Sequence, residues 1–541
     1  MQTSLRCSLP TSLAYRACAR LASRDQAPAA FAAAGRVVAM AIAMAMGGCA
    51  ALPGQVERPV SYSRSDVADT QLAKIAAAST ADDQRGLSGF QLLPDGAQAF
   101  DARIALIRRA EKTLDVQYYL IASDGTGLEF LRELQRAAAR GVRVRILVDD
   151  LYATGQDELF AGLAAHDNVE VRMFNPLPVR RGGFAERIVL SLHQFTRINH
   201  RMHNKLFIAD GTFAVTGGRN IADEYFDRSG DANFIDMDVL SMGPVVKELA
   251  AVFDRFWNSD VVYPVRSLVR GEPSAQAFER QVANVPAAAP AASASLSLDA
   301  ELSRGRLELE RGTAEVFADA PQKAEGDTVA ATVAQAHLAL LDSAQTEVLL
   351  ASPYFVPGAP AMQALSAMRG RDVSISVLTN SLATTDEPLV HFGYARHRAA
   401  LLNAGVDLHE LMPTGATAGE TTTSLGGSGR GASLGRLHTK LTVIDEEKTF
   451  LGSMNMDARS ARLNTEAAIV IHSAPLARLV AKFVRDRQQE GSYEVRLQGN
   501  RLAWLSGEGA EQRTRSAEPQ PAATPALPVR VLAQLLGEGM L

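Results

Sequence analysis

Cysteine is nearly absent from this chain: three in 541 residues, Cys7, Cys18 and Cys49, all in the first tenth of the sequence. Neither a disulfide framework nor a cysteine-based zinc cluster can therefore stand in the body of the protein. An excess of one charge is lacking too. Fifty-five lysines and arginines face 60 aspartates and glutamates, for a formal net charge of −5. That balance gives no general attraction to nucleic acid, which is disfavoured as a partner unless a local basic cleft supplies one. No apolar run is long enough to span a bilayer. What remains is an ordinary globular composition, 47% hydrophobic, enough for a large core and for roughly two to four domains.

Positive charge does gather near the start. Arg6, Arg16, Arg20, Arg24 and Arg36 precede the apolar run 37–46, which ends in Gly47-Gly48-Cys49-Ala50. Arginines, a short apolar run and small residues describe an export signal over residues 1–48. The small residues before Cys49 resemble a lipobox, making Cys49 the candidate lipidation site of a lipoprotein on the non-cytoplasmic side of a bacterial membrane. The leading segment is long and Met46 stands where leucine is usual, so an uncleaved anchor or a later start is the alternative. Residues 49–86 read as a lipidated N-terminus and polar tether.

Repetition is what the chain has in abundance. Residues 203–220, HNKLFIADGTFAVTGGRN, carry His203, Lys205 and Asp210 as H-x-K-x4-D, then Gly217, Gly218 and Asn220. Residues 438–455, HTKLTVIDEEKTFLGSMN, repeat it with His438, Lys440, Asp445, Gly452, Ser453 and Asn455. Every offset matches. Strand alternation places histidine and lysine on one face, with the apolar residues that follow turned to a core. An imidazole can act as nucleophile or as general acid and base near neutral pH, and a lysine beside it attracts phosphate. Gly218 and Ser453 permit close backbone approach to phosphate, and Asn220 and Asn455 supply amide donors. A hairpin after each aspartate returns the asparagine to the histidine. Two half-sites then surround one phosphodiester without a metal, and no residue cluster has metal-ligand spacing. No cofactor is expected. Asp210 and Asp445 complete the motif but sit at turns, beside Gly211 and Glu446, where fixing the turn suits them better than touching substrate. His200, at odd offset from His203, reads as surface or as support for the site.

The repeat extends beyond the motifs. RGVRVRILVDD pairs with RGRDVSISVLTNS, and HDNVEVRMFNP with NAGVDLHELMP. Helical spacing over 100–112, 127–140 and 245–257 alternates with strand patterns over 113–120, 142–148, 169–174 and 239–242. The second half repeats the order, with helices at 329–343 and 361–369 and strands at 347–357, 373–378 and 406–411. This predicts an α/β fold of two similar halves, each a sheet flanked by helices. Residues 414–433, rich in Gly, Thr and Ser, read as a flap over the site or a surface insertion.

These features carry a resemblance. The duplicated H-x-K-x4-D pattern resembles the phospholipase D superfamily. HRMHNKLFIADGTFAVTGGRNIADEYF, TLDVQYYL, LTNSLATTDEPLVHFGYARHR and RLNTEAAIV resemble its bacterial cardiolipin synthase C type, over residues 87–504. The resemblance implies two phospholipase D-like halves, 87–265 and 313–495, sharing one active site, with 266–312 as linker and 496–541 as tail. The apolar tail end, 527–541, either contacts membrane or docks on the body. The family's mechanism implies a phosphohistidine on His203, with His438 as general acid and base, although the sequence is symmetric and does not itself assign the order. It implies that Lys205, Lys440, Asn220 and Asn455 hold the phosphate. Glu466 matches the family's imidazole-orienting carboxylate; Asp236 is its best counterpart in the first half, with Asp238 close by. His391 and Tyr394 line a lipid pocket or pack in the core. The implied partners are phospholipids at a membrane surface: phosphatidylglycerol, with phosphatidylethanolamine as a second candidate. A helper subunit is not readable. A lipid alcohol as acceptor makes a phosphatidyltransferase; water makes a phospholipase D, another phosphodiesterase or a nuclease. The motifs do not separate the two.

Overall fold

The computed structural model describes residues 52–180, 183–285, 297–326, 331–413, 434–507 and 512–519. Cys49, the 414–433 segment and the 527–541 tail lie outside them. The described residues from Gln55 onward belong to one compact unit.

The first half contributes β1 (Ser88–Leu93), β2 (Thr113–Tyr118), β3 (Arg143–Asp149), β4 (Val169–Phe174), β5 (Leu206–Ala209), β6 (Phe213–Gly217), β7 (Ala232–Ile235), β8 (Asp238–Met242) and β9 (Val262–Pro264). The second contributes β10 (Glu310–Ala318), β11 (Glu347–Ala351), β12 (Ser374–Asn380), β13 (Asp407–Leu411), β14 (Leu434–Leu437), β15 (Leu441–Ile444), β16 (Lys448–Gly452), β17 (Ala467–His472), β18 (Ser492–Gln498), β19 (Arg501–Ser506) and β20 (Arg513–Arg515). Pairing orders the first half β9-β4-β3-β2-β5-β6-β8-β1. The second half runs the reverse way, β10-β17-β16-β15-β11-β12-β13-β18, and adds β19 and β20 at its edge. The halves join where β1 pairs antiparallel with β10, Ser88 opposite Gly312. A pseudo-twofold at that junction relates β2-β3-β4, which are parallel, to the parallel β11-β12-β13.

Local chemistry explains the elements. RVRILVD and SISVLTN are β-branched and mostly buried, as central parallel strands require. Asp124 caps helix Gly125–Ala139 by accepting from Gly127 N at 2.8 Å. Gly127 is obligatory there, because a Cβ would meet Ala122 O at 1.9 Å. Helices Pro244–Trp257 and Ala474–Gly491 bury Phe253, Trp257, Val480 and Val484 in one core with Leu206, Leu249, Leu349 and Leu441. The two halves thus share a core.

Four expectations need correcting. Residues 56–86 are no free tether: Arg58 Nε donates to Val262 O at 2.6 Å, Ser61 N to Asn258 at 3.1 Å, and Ser63 N to Asp254 at 2.9 Å. Buried Arg145 and Arg172 take carbonyls of this segment at Ser61 and Pro59, so desolvated charges find their partners in it. The span 266–312 is largely built: helix Ala275–Val282 buries Phe278 against Gly162, and Leu298–Ser303 packs on Gly96–Arg109. The tail begins as sheet, with Trp504 of β19 buried and its Nε1 donating to Glu410 at 2.8 Å. Finally, SPYFVP does not continue β11; only a bridge from Phe355 to Met456 follows it. Among the described residues no helix is long and apolar enough to cross a membrane.

Candidate active site

The motif hairpins form as the sequence requires, β5 with β6 and β15 with β16, but the histidines and lysines do not lie on their strands. β5 begins at Leu206 and β15 at Leu441, so His203, Lys205, His438 and Lys440 occupy extended lead-ins. Each lead-in is tied to the opposite half. His203 N donates to Thr465 O and Thr465 N to Arg201 O, both at 2.9 Å. His438 N donates to Ile235 O at 2.8 Å, where β14 runs parallel to β7. The first residues of β5 and β15 register with the carboxyl ends of β2 and β11. The site therefore lies where α/β sheets commonly bind ligands.

The orienting carboxylates cross between the halves. Glu466 takes His203 Nδ1 at 2.9 Å, and Asp236 takes His438 Nδ1 at 2.6 Å. Both imidazoles therefore carry a hydrogen on Nδ1, and neither Nε2 has a hydrogen-bond partner among the described residues. Lys440 Nζ lies 3.0 Å from His438 Nδ1; since that nitrogen already donates to Asp236, the lysine acts on it by charge. Lys205 and Lys440 each donate to the carbonyl of their own motif histidine.

Burial dominates the electrostatics. It pushes His203 down to about 4 against the pull of Glu466, with Lys205 assisting the fall. It lowers His438 too, helped by Lys440 and opposed by Asp236. Lys440 is brought down to about 8 by burial, in spite of Asp236, Asp386 and Glu466. Lys205 is pushed well down by burial as well. Burial works the other way on Asp236, but His438 and Lys440 outweigh it and hold the carboxyl at about 2. Burial thus disfavours the cationic forms of both histidines and both lysines, and each pair feels the charges of the other: Lys440 acts on His203, and Asp236 on Lys205. An entering phosphodiester anion restores what burial removed.

Of the other motif residues, Asp210 and Asp445 fix their turns as the sequence suggested, whereas Gly218 and Ser453 take tasks other than those expected. Asp210 and Asp445 sit at the far ends of β5 and β15, roughly 13 Å of strand rise from the lead-ins. At φ of 47° and 54° they occupy tight turns. Asp210 accepts from the amides of Glu111, Lys112 and Thr113 at 3.0, 2.8 and 2.9 Å. Asp445 takes those of Gln345, Thr346 and Glu347. Neither reaches the reaction; each pins its hairpin to the neighbouring strand. Gly218 makes room for Asp236 rather than for phosphate, since a Cβ would meet Asp236 Oδ1 at 2.2 Å. Ser453, its counterpart, donates its hydroxyl to Glu466, so a longer carboxylate and a serine replace a shorter one and a glycine. Asn220 donates to Tyr225 at 3.0 Å, and the Oδ1 atoms of Asn220 and Asn455 are buried without partners.

His200 is buried, with Nδ1 2.6 Å from Thr196 O; strand alternation does not apply to it, because its segment is not a strand. His391 meets Glu518 and Arg398, and Tyr394 donates to Glu410, a buried polar cluster of the second half. The sequence reading passed over the aromatic walls. Tyr119 stands edge-on to His203 at 5.2 Å, and Tyr225 and Phe234 flank His438 at 5.1 and 4.8 Å. It also missed Asp319, which accepts from Glu466 N at 3.0 Å and Lys323 Nζ at 2.7 Å and so fixes the backbone of Glu466 just before β17. Tyr119 was legible as the residue following β2; nothing local marked Asp319.

The same fold occurs in the crystal structure of phosphatidylserine synthase from Haemophilus influenzae Rd KW20, with a TM-score of 0.50 and 13% identity over 77% of this chain and 88% of that one. With its duplicated α/β halves joined edge to edge, the chain is an enzyme of the phospholipase D class. A family model described as "Cardiolipin synthase, PLD-like domain" matches residues 104–257 and 338–487. Cardiolipin synthase C of Escherichia coli (strain K12) is 36% identical over 453 residues, 80% of this chain and 92% of that protein. An uncharacterized protein of Helicobacter pylori (strain ATCC 700392 / 26695) is 32% identical over 76% of this chain and 82% of its own length. Cardiolipin synthase 2 of Staphylococcus epidermidis (RP62A) is 28% identical over 72% and 66%. The chain belongs to the cardiolipin synthase family of phospholipase D-like enzymes.

Proposed function

We propose that the chain is a phosphatidyltransferase that makes cardiolipin through a phosphohistidine. The single observation that supports this reading is the crossed pairing of His203 with Glu466 and His438 with Asp236, which leaves both Nε2 atoms available for one phosphodiester. His203, neutral at its pKa of about 4, attacks phosphorus through Nε2, and the bond from phosphorus to the headgroup oxygen breaks. His438, whose cationic form Asp236 favours, gives the leaving alcohol its proton. The positions then reverse: His438 takes the proton of a phosphatidylglycerol hydroxyl, whose oxygen attacks phosphorus and frees His203. With two phosphatidylglycerols the products are cardiolipin and glycerol. Lys205, Lys440, Asn220 and Asn455 hold the phosphate and neutralise the charge that grows on its oxygens. Asp210 and Asp445 have no part in these steps.

The enzyme works at a membrane surface, where its substrates reside. Attachment through lipid on Cys49 remains part of this proposal, and Cys49→Ser should release the protein from membranes or leave its leading segment uncleaved. Normal processing and unchanged fractionation would remove that element. The function is tested by incubating purified enzyme with phosphatidylglycerol vesicles, with and without phosphatidylethanolamine, and identifying products. Cardiolipin with free glycerol or ethanolamine is expected. Phosphatidic acid as the sole lipid product would make the enzyme a hydrolase.

A further inference from the structure

Helix Phe184–Ser191, with the turn continuing it to Ile198, is built inside out. A surface helix of a soluble protein turns its apolar stripe inward and its charges outward. Here the buried members are Arg187 and Ser191, while Phe184 is 49%, Val189 62%, Leu192 50% and Phe195 47% exposed. Glu186, His193 and Thr196 stay exposed, but the arginines of the segment are bound to the protein. Arg187 donates to Asp157 at 2.6 Å, and Arg180, just before the helix, pairs with Asp150 and Asp157. Arg197 donates to Gln194 at 2.8 Å and to Pro176 O at 2.9 Å, and Asn175 returns bonds to Arg197 O and His200 O. The segment is thus pinned by its polar side and presents its apolar side to solvent. The described residues contain eight exposed large hydrophobics, and these four with Tyr152 make five of them. Scattered apolar residues are ordinary, whereas a gathered patch marks an interaction surface.

The patch is continuous with the active site. The ring of Phe184 stacks on Tyr152 at 6.2 Å, Tyr152 meets the edge of Tyr119 at 5.2 Å, and Tyr119 meets the edge of His203 at 5.2 Å. A row of rings therefore leads from the exposed helix face to the imidazole proposed to attack phosphorus. We propose that this helix face is where a phospholipid bilayer docks, so that a lipid headgroup passes along the rings to His203 while its acyl chains remain in the bilayer. The inference rests on the phospholipid substrate proposed above. Tyrosine and phenylalanine suit the boundary between water and acyl chains, and a short helix with an apolar outer face lies in that boundary. A second copy of the chain seated here would cover the row of rings that the substrate must follow, which favours the bilayer as occupant.

The test uses local reporters in the full chain. Native Trp257 and Trp504 are buried, so a tryptophan introduced on the patch gives its own signal. Val189→Trp and Leu192→Trp should shift their emission to the blue on phosphatidylglycerol vesicles and be quenched by lipids brominated on the acyl chains. Leu479→Trp, exposed elsewhere, should do neither. The double variant V189D/L192D should lose roughly tenfold or more of kcat/KM on vesicles yet keep turnover on monomeric short-chain phosphatidylglycerol. Patch reporters without shift or quenching, or a response equal to that of Leu479→Trp, would overturn the proposal. So would equal losses on vesicles and monomers, or a change of oligomeric state without bromine quenching. Failure of the unaltered enzyme to turn over monomeric lipid would instead count against the function, because quenching reads docking independently.

Discussion

Glu466 of the second half holds His203 of the first, carboxylate oxygen to Nδ1 at 2.9 Å. The converse pair, Asp236 and His438, stands at 2.6 Å. Neither half can orient its own imidazole, so the reaction centre exists only when both halves are folded together. Glu466→Gln and Asp236→Asn should each lower kcat by ~10²–10⁴ with little change in KM, because the amide no longer enforces the tautomer. His203→Ala and His438→Ala should each remove more than ~10³ of kcat. Substantial turnover in either alanine variant would refute a single shared site.

Lys440 carries its charge only below about pH 8 in the empty site. Since kcat/KM reports the free enzyme, its profile should fall on the alkaline side with a midpoint near that value. A profile flat to pH 10 would show that the Lys440 charge is not needed to bind phosphate.

Acid should unfold the protein in two overlapping stages. His203 has its folded pKa, about 4, below the ordinary 6.5, so the unfolded chain binds more protons between those values and stability falls as pH drops through that window. Asp236, at about 2 against 3.8, contributes stability that is present above 3.8 and lost as pH falls towards 2. In chemical denaturation followed against pH, His203→Gln should make the first stage shallower, with His337, also lowered by burial to about 4, supplying part of what remains, and leave the second. An unchanged first stage would assign it to other groups.

Asp210→Ala and Asp445→Ala should damage the fold and spare the chemistry. Each leaves three backbone amides without their shared acceptor, a loss of roughly 1–3 kcal/mol, greater at buried Asp210 than at partly exposed Asp445. Thermal melting should fall while kcat per folded molecule is kept. A large drop in kcat at unchanged melting temperature would return these aspartates to the mechanism.

Gly218→Ala places a methyl group where Asp236 Oδ1 stands, 2.2 Å from the ideal Cβ. The carboxylate must move off His438, and activity should fall about as far as in Asp236→Asn, by ~10²-fold or more. Wild-type kinetics in that variant would mean that the hairpin shifts instead.

Turnover is expected to survive chelation, because Lys205 and Lys440 can balance phosphate charge directly. A complete loss in EDTA that a divalent cation reverses would require another account of the site.

The sequence alone carried a great deal, and the reason is periodicity. Matching offsets from His203 to Asn220 and from His438 to Asn455, with apolar alternation after each lysine, determined the duplication, the two hairpins and the α/β halves. The strand 169–174 and the helix ending at Trp257 were legible for the same reason. Where periodicity stopped, the reading weakened: polar residues 56–86 looked like a tether, because nothing local records that Arg145, Arg172 and Asp254 wait in the core for their backbone groups. The motif histidines were placed on strands, yet contacts with Thr465 and Ile235, more than 200 residues away, hold them in extended lead-ins. The sequence singled out the histidines, lysines and asparagines proposed to meet a phosphodiester, since side-chain chemistry and spacing are local. Only the tertiary structure decided that Glu466 serves His203 and Asp236 serves His438, that Gly218 yields space to a carboxylate, and that an apolar helix faces outward beside the site. Those are relations between surfaces brought together by a pseudo-twofold, and no spacing along one chain encodes them.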